Sequence, residues 1–297
     1  MNALKFFASG KLLLFGEYLV LRGAQSMALP LSSGQELQIT ANPSGGIQWE
    51  AFEFGNQWLT IHFSNDLKIL ETNDTEKART AQKFLELISA HSTVTIRDLH
   101  LRFDLDFHRH YGFGTSATLT SLLSQWSGVD PYYLMQQTFG GSGYDIAAAT
   151  AAMPFIYSQE NKIEKEFRLA DAITSHLLFV YLGKKQISAG EVAAFKKKVT
   201  TKDQLHEMNQ IVEAASQCTS IIDWEKLMMQ SEALMSSILH FPTVKAQLFP
   251  DYPYAVKSLG AWGGDFVMAT FRDISEAKKY FQQKQKQPIF TFKELAK

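Results

Sequence analysis

A chain of 297 residues with 45% apolar side chains can bury substantial cores in one elaborate domain or two lobes, which excludes disorder. Its 29 basic and 30 acidic side chains leave a formal net charge of -1, so no long-range field steers it to nucleic acid or an anionic membrane, and its partners are expected to be small or locally recognised. The single cysteine, Cys218, excludes an internal disulfide and a multi-cysteine metal site, and the absence of a signal-peptide core over Met1 to Phe15 or of any bilayer-spanning run gives an expectation of a soluble, cytoplasmic protein.

In chain order, a strand at Leu4 to Ala8 leads into a first glycine-punctuated loop, Ser9 to Tyr18, whose Leu12-Leu13-Leu14-Phe15 run has the look of a buried strand end. Short β-type patterns follow at Glu36 to Ala41, Ile47 to Phe52 and Trp58 to Phe63, bounded by turn residues such as Pro43-Ser44-Gly45-Gly46. Ala78, Ala81, Phe84, Leu85 and Ile88 form the apolar stripe of a helix over Thr75 to Ala90. Leu101, Phe103, Leu105 and Phe107 alternate with polar residues as a strand with one dry face, which runs into a second loop, Gly112-Phe113-Gly114-Thr115-Ser116-Ala117, and a helix from Ser116 to Trp126. A third loop, Gly141-Ser142-Gly143-Tyr144-Asp145, precedes a run with five alanines among seven residues, suited to close packing.

Past Pro154 a second lobe is expected, dividing the chain into 1–157 and 158–297. Its strands are predicted at Phe155 to Tyr157, Ile163 to Phe167 and Leu177 to Leu182, and its helices around Glu191 to Lys198, Leu205 to Gln217 and Asp223 to Leu239. Strands at Tyr254 to Ser258 and Phe266 to Thr270 enclose a fourth loop, Gly260-Ala261-Trp262-Gly263-Gly264-Asp265, and a helix spans Ser275 to Gln283. The Lys/Gln-rich stretch Lys278 to Lys286 reads as a solvated face, and there is no internal repeat.

Glycine lets backbone N–H groups turn onto a ligand, and a following helix adds unpaired donors and a positive end. The second loop, with two glycines and two hydroxyls at a helix start, reads either as an ordinary N-cap or as a triphosphate cradle with a hydroxyl turned to Mg2+. A helix end contributes only about 0.3 to 2 kcal/mol toward an anion, so catalysis needs charge from elsewhere. Lys11 either snorkels to solvent or supplies that charge. Asp145 either caps the helix that follows it or takes a proton from a substrate hydroxyl, and both roles are compatible. The fourth loop is a hairpin turn or a second wall whose N–H groups face the transferred phosphate. His108 and His110 flank Arg109 without the cysteines or carboxylates of a metal site, and read as loop histidines. There is no Gly-x-Ser-x-Gly elbow, no Walker pattern and no Gly-x-Gly-x-x-Gly after the first strand, which lowers a serine hydrolase, a P-loop enzyme and a Rossmann dehydrogenase.

Together these loops resemble the GHMP kinase superfamily, whose members include galactokinase, homoserine kinase, mevalonate kinase and phosphomevalonate kinase. Ser9 to Glu17 looks like the first family motif in its GKLLLFGEY form, continued by Met27-Ala28-Leu29-Pro30-Leu31. Gly112 to Ala117 is similar to the end of the second motif, Gly141 to Ala149 to the phosphomevalonate-type segment, and Lys257 to Gly264 to the third motif. Gly143-Tyr144-Asp145-Ile146-Ala147 spells the signature of the GYDIA subgroup. The resemblance implies an α+β, two-lobed fold. Residues 1–157 would be the ATP-binding lobe, ribosomal protein S5 domain 2-like with a left-handed βαβ unit, and residues 158–297 a ferredoxin-like α/β lobe, with phosphoryl transfer at the cleft. It also implies that Lys11 and Asp145 are the catalytic pair, that Gly112, Phe113, Gly114, Thr115, Ser116 and Ala117 bind ATP, and that Ser116 is a Mg2+ ligand. Glu17, Gly143, Tyr144, Gly260, Ala261, Gly263 and Gly264 would lie on the substrate side.

The implied activity is ATP-dependent phosphorylation of a small, anionic metabolite, with mevalonate or phosphomevalonate foremost, and the resemblance leaves monomer and homodimer open. Arg109, Lys184 and Lys185 are candidates to meet an anionic acceptor by composition alone. Several positions depart from the family pattern. His108 stands at a proline position and His110 at a glycine one, Thr115 replaces a serine, and Trp262 interrupts the glycines of the third motif, where it narrows the pocket or points away. The interval in which many members carry an acidic Mg2+ ligand offers only Asp130, so metal binding weaker than in typical relatives is expected. These departures motivate the alternative of a GHMP-type nucleotide- or metabolite-binding protein without kinase activity.

Overall fold

A computed structural model of the chain describes residues 3–183, 195, 197–260, 262 and 264–297. The predicted helix around Glu191 to Lys198 lies largely outside the described residues, as do Lys184, Lys185, Ala261 and Gly263. The architecture is α+β, and the chain forms two compact units that interleave in sequence.

The first unit comprises Met1–Gly10, Ser33–Arg109 and Phe113–Thr150. Two long strands begin the chain, β1 (Leu4–Phe15) and β2 (Ser26–Ala41), and the part of β2 from Ser33 onward belongs to this unit. There it pairs antiparallel with β6 (Leu99–Leu105), Gln35 lying opposite Leu105 and Ala41 opposite Leu99. β6 pairs parallel with β3 (Ile47–Glu53), and the antiparallel strands β4 (Asn56–Phe63) and β5 (Ile69–Thr72) complete the order β5-β4-β3-β6-β2. Helix α1 (Thr75–His91) starts where the Asp74 carboxylate accepts the Lys77 N–H at 3.1 Å, and its predicted stripe is the buried face. Phe84 and Leu85 join Trp49, Ile61 and Phe103 of the sheet and Leu122 and Leu123 of α2 (Thr115–Ser127) in one apolar cluster. Helices α3 (Pro131–Thr138) and α4 (Tyr144–Thr150) pack on α2 and on each other.

The second unit comprises Lys11–Ser32, His110–Gly112 and Ala151–Lys297. Ser26 to Ala28 of β2 pair antiparallel with β7 (Phe155–Ser158), which carries the exposed edge strand β8 (Lys162–Glu166). An antiparallel sheet follows in the order β10 (Val256–Leu259), β11 (Phe266–Thr270), β9 (Leu177–Tyr181), β12 (Ile289–Thr291). Leu178, Val180, Val267, Phe249, Tyr252 and Phe281 form its apolar cluster. The helices Lys202–Ser216 and Ile221–Leu239 are capped by Thr201 and Ser220 respectively, whose side chains accept backbone N–H groups.

Two strands extend well beyond their predicted bounds. Ser9 to Phe15 is strand throughout, because Leu12 to Phe15 are all 4% exposed or less and a strand buried on both faces loses the alternation that marks a half-buried one. β2 starts ten residues before the predicted Glu36 for the same reason, Met27 to Leu31 being a continuous buried run.

Candidate active site

The second unit gathers the first loop, the opening of the second and the fourth. Lys11 is half-buried on β1, and its Nζ donates to the Gly112 carbonyl at 2.9 Å. Gly112 has φ +70°, and a Cβ there would come within 2.2 Å of Asp265 Oδ2, so the Asp265 carboxylate lies directly against the loop backbone. Gly112→Ala is therefore expected to strain the left-handed backbone by about 1–2 kcal/mol and to displace Asp265, lowering the thermal midpoint by a few degrees. An unchanged midpoint would show that the loop tolerates a side chain here.

Beyond β1, Gly16 turns the chain at φ +89° where a Cβ would strike the Gln25 carbonyl at 2.5 Å. Glu17 and Tyr18 then meet the segment around the fourth loop. The Trp262 N–H donates to the Tyr18 hydroxyl at 3.0 Å, and the Trp262 side chain is buried. Lys257 on β10 forms an ion pair with Glu17, each residue being 1% exposed, and also donates to its neighbour's carbonyl on Ser258 at 3.0 Å. Burial pushes the Glu17 carboxyl up to about 7 even though Lys257 pulls it down, and Glu17 Oε2 has no hydrogen-bond partner among the described residues. Glu232 lies in the same electrostatic neighbourhood, is likewise raised by burial, and accepts the Ser258 N–H at 2.8 Å and the Val244 N–H at 3.0 Å. Gly260 turns at φ +67° and Gly264 is buried.

The first unit holds the rest of the second loop and the third. Phe113 is buried against Phe107, with ring centroids 5.6 Å apart. The N-cap of α2 is Gly114, at φ +92°, and no side chain caps the helix. Thr115 and Ser116, for which capping was the ordinary reading, lie inside the first turn instead, with the Ser116 residue exposed. Ala117 is buried with Met135 of α3 and Ile146 of α4, and Tyr132 packs against them. That contact holds α2, which carries Ser116, against α4, which carries Asp145.

Asp145 sits in the first turn of α4, one position inside its start, and its Oδ1 accepts the Ile146 N–H at 3.1 Å. Gly143, at φ +91°, brings the chain into the helix, and Tyr144 begins it half-buried. The Tyr132 phenol is pushed up to about 12 by burial and, in smaller measure, by the charges of Asp130 and Asp145. Asp130 itself caps α3, accepting the Tyr133 N–H at 2.7 Å, and is engaged as a helix cap.

Arg109 is committed elsewhere as well, with Nε 2.8 Å from Glu53 and its guanidinium 4.3 Å from the centre of the Trp58 ring. His108 places Nδ1 2.6 Å from the same carboxylate. No group of three His, Cys, Asp or Glu among the described residues could hold a metal ion alone. No described helix is long and apolar enough to cross a membrane.

Two contacts escaped the sequence reading, that of Asp265 with Gly112 and that of Lys257 with Glu17. Lys257 opens the third motif and Asp265 ends the fourth loop in the sequence, but neither pattern names the distant partner.

No protein-family model matches the chain, and no curated protein matches it in sequence. Solved structures do match it nearly end to end. A mevalonate kinase from Methanococcus jannaschii superposes with a TM-score of 0.70 at 16% identity, covering 97% of each chain. A Streptococcus pneumoniae phosphomevalonate kinase in complex with phosphomevalonate and AMPPNP gives 0.68 at 17% identity, covering 98% of this chain and 100% of that one. A mevalonate kinase from L. major in complex with R-mevalonate gives 0.66 at 19% identity, covering 97% and 94%. The chain has the α+β fold that these mevalonate and phosphomevalonate kinase structures share.

Proposed function

We propose that this chain is an ATP-dependent kinase of a small anionic metabolite, with mevalonate or phosphomevalonate as the leading acceptors. The observation that carries the reading is the contact of Lys11 Nζ with Gly112, 101 residues away, at the opening of a helix whose N-terminus no side chain caps. An uncapped helix start behind left-handed glycines offers backbone N–H groups to an anion, and a lysine fixed to the same loop supplies the full charge that a helix end lacks.

In this reading Gly112 to Ala117 bind the nucleotide's phosphates, and Lys11 leaves the Gly112 carbonyl to neutralise charge on the transferring group. The donors fit Mg2+ in a particular way. Ser116 offers an exposed hard oxygen, the kind of ligand accepted by a cation that takes most of its ligands from substrate phosphates and water. Held by Ser116, Mg2+ would supply positive charge against the charge that develops on the transferring phosphate. Asp145 accepts the proton of the attacking hydroxyl, while Gly143, Tyr144, Gly260 and Gly264 shape the acceptor side. Glu17 serves that side indirectly, by fixing Lys257 beneath the fourth loop. Cytoplasmic location follows as part of the same proposal.

Lys11→Met is expected to fold normally and lose about 10²- to 10³-fold in turnover, as when one preorganised charge-stabilising donor is removed. A variant with unimpaired turnover would remove Lys11 from the chemical step. The second reading, a nucleotide- or metabolite-binding protein without kinase activity, is favoured by one observation, the engagement of Asp130, the one acidic residue between the phosphate loop and Asp145, as the cap of α3. An ADP-release assay over mevalonate, phosphomevalonate, homoserine and sugars separates the two. Release with one acceptor supports the kinase, and nucleotide binding without release on any acceptor supports the second reading.

A further inference from the structure

The sheet of the second unit ends in a patch of rings. Phe266, which opens β11, stands opposite Tyr181, which closes β9, and Phe290 of β12 stands opposite Phe179, on the same side of β9 as Tyr181. Strand alternation therefore puts Tyr181, Phe266 and Phe290 on one face and the core residues Val180 and Val267 on the other. Tyr111 seats its ring in that patch. Its centroid lies 4.9 Å from that of Tyr181, 5.5 Å from Phe266 at an interplanar angle of 88°, and 6.4 Å from Phe290 at 70°, close to the edge-on geometry that aromatic pairs prefer. The Tyr181 hydroxyl also donates to the His110 carbonyl at 3.4 Å.

Tyr111 immediately precedes Gly112, whose carbonyl accepts the Lys11 ammonium at 2.9 Å. Gly112, at φ +70°, has no side chain with which to anchor that carbonyl, and a glycine backbone ranges widely unless a neighbour pins it. Tyrosine suits the task, because it supplies a large rigid contact with few side-chain torsions to order. His110 is held through its carbonyl and Tyr111 through its ring, so successive residues moor the opening of the loop to the sheet. We propose that Tyr111 is a positioning residue for Lys11: its ring, seated on Tyr181, Phe266 and Phe290, fixes the Gly112 carbonyl so that the lysine is held at the phosphate loop before any nucleotide arrives. The consequence for turnover rests on the kinase reading given above, and the consequence for Lys11 itself does not.

The test reads Lys11 directly, by reductive methylation of the ligand-free full chain followed residue by residue with mass spectrometry, alongside kcat and KM for ATP with whichever acceptor releases ADP. The proteins compared are the unsubstituted chain, Tyr111→Phe, Tyr111→Leu and Tyr181→Leu. Lys245, whose ammonium donates to the Tyr254 carbonyl at 2.7 Å in the same unit, is the internal standard. Phenylalanine keeps the ring, and leucine fills part of its space without one. In Tyr111→Leu the Lys11 methylation rate should rise about threefold or more relative to Lys245, as when an amine is released from one hydrogen bond, and kcat should fall about tenfold or more with a smaller change in KM. Tyr111→Phe should match the unsubstituted chain in both readouts. Tyr181→Leu should follow Tyr111→Leu, which keeps the test decisive if one leucine variant fails to fold. Unchanged Lys11 reactivity in the leucine variants overturns the proposal, as does an equal rise at Lys11 and Lys245, which marks general loosening, or a phenylalanine variant that behaves like leucine. If the unsubstituted chain turns over no acceptor, the kinase reading fails and the consequence for turnover goes with it, whereas the labelling still decides whether the ring fixes Lys11.

Discussion

Asp145→Asn is expected to leave the fold intact while turnover falls by about 10²- to 10⁴-fold, the range associated with loss of a positioned general base. The structural half of this expectation follows from the local hydrogen bond. Asp145 Oδ1 accepts the Ile146 N–H at 3.1 Å, and an asparagine oxygen accepts it equally well, so the first turn of α4 keeps its contact. The packing of Ile146 with Ala117 and Met135 does not involve the carboxylate, and α4 therefore stays against α2. What asparagine lacks is charge and basicity.

The same substitution carries an internal control. Asp145 is one of two charges that help to raise the Tyr132 phenol, so Asp145→Asn should lower the pH at which that tyrosine ionises. The loss should fall on kcat more than on KM, because proton acceptance matters only as the hydroxyl attacks. Full turnover in Asp145→Asn would leave the residue with a role in helix initiation alone.

The largest stability effect is expected at Lys257. Lys257→Met leaves the Glu17 carboxylate buried without its cation, a change that costs about 3–5 kcal/mol in comparable buried pairs. Pairing the substitution with Glu17→Gln removes the stranded charge and should recover most of the loss, which separates the ion pair from simple packing against Phe15, whose ring centre lies 5.2 Å from Lys257 Nζ.

Glu17 also gives the pair a pH signature. Its folded-state carboxyl is raised from 4.5 to about 7 by burial, so between those values the folded chain holds a proton that the unfolded chain has released. Stability from this group is fully present below about pH 4.5 and is lost as pH rises toward 7 and through it. Glu232, raised in the same direction by burial, adds to the slope. Thermal midpoints measured from pH 5 to 8 should therefore fall less steeply in Glu17→Gln than in the unsubstituted chain. Parallel pH profiles would show that Glu17 stays ionised across the range, and would remove the titration from the description of this cluster.

How much of this was legible depended on whether the determining interactions were local. The stripe of α1 lies within one stretch of sequence, and the structure reproduces it. β1 and β2 were seen only in part, since burial on both faces of Leu12–Phe15 and Met27–Leu31 erases the period of two on which strand recognition relies. α3 carried a readable start, Asp130 as cap with Pro131 in the first turn, but its eight residues are too few for a clear apolar period.

The site divides in the same way. Glycine loops and the Lys11, Ser116 and Asp145 positions could be read as short patterns. Glu17 could not be assigned its partner, because Lys257 lies 240 residues further along and no local spacing encodes that pairing. Asp265 was hidden for a different reason. Its significance lies in the space that Gly112 leaves by lacking a Cβ, a fact about packing rather than composition.

The central claim is that a lysine from the opening strand and an aspartate from the middle of the chain serve phosphoryl transfer from ATP to a small acceptor. Its most direct test is single-turnover transfer from γ-labelled ATP, with Mg2+, to mevalonate and phosphomevalonate in parallel with homoserine and sugars. The expected result is a labelled product with at least one acceptor from the unsubstituted chain, reduced by two or more orders of magnitude in both Lys11→Met and Asp145→Asn. Labelled product formed at equal rates by all three proteins, or none from a chain that binds ATP tightly, would contradict it.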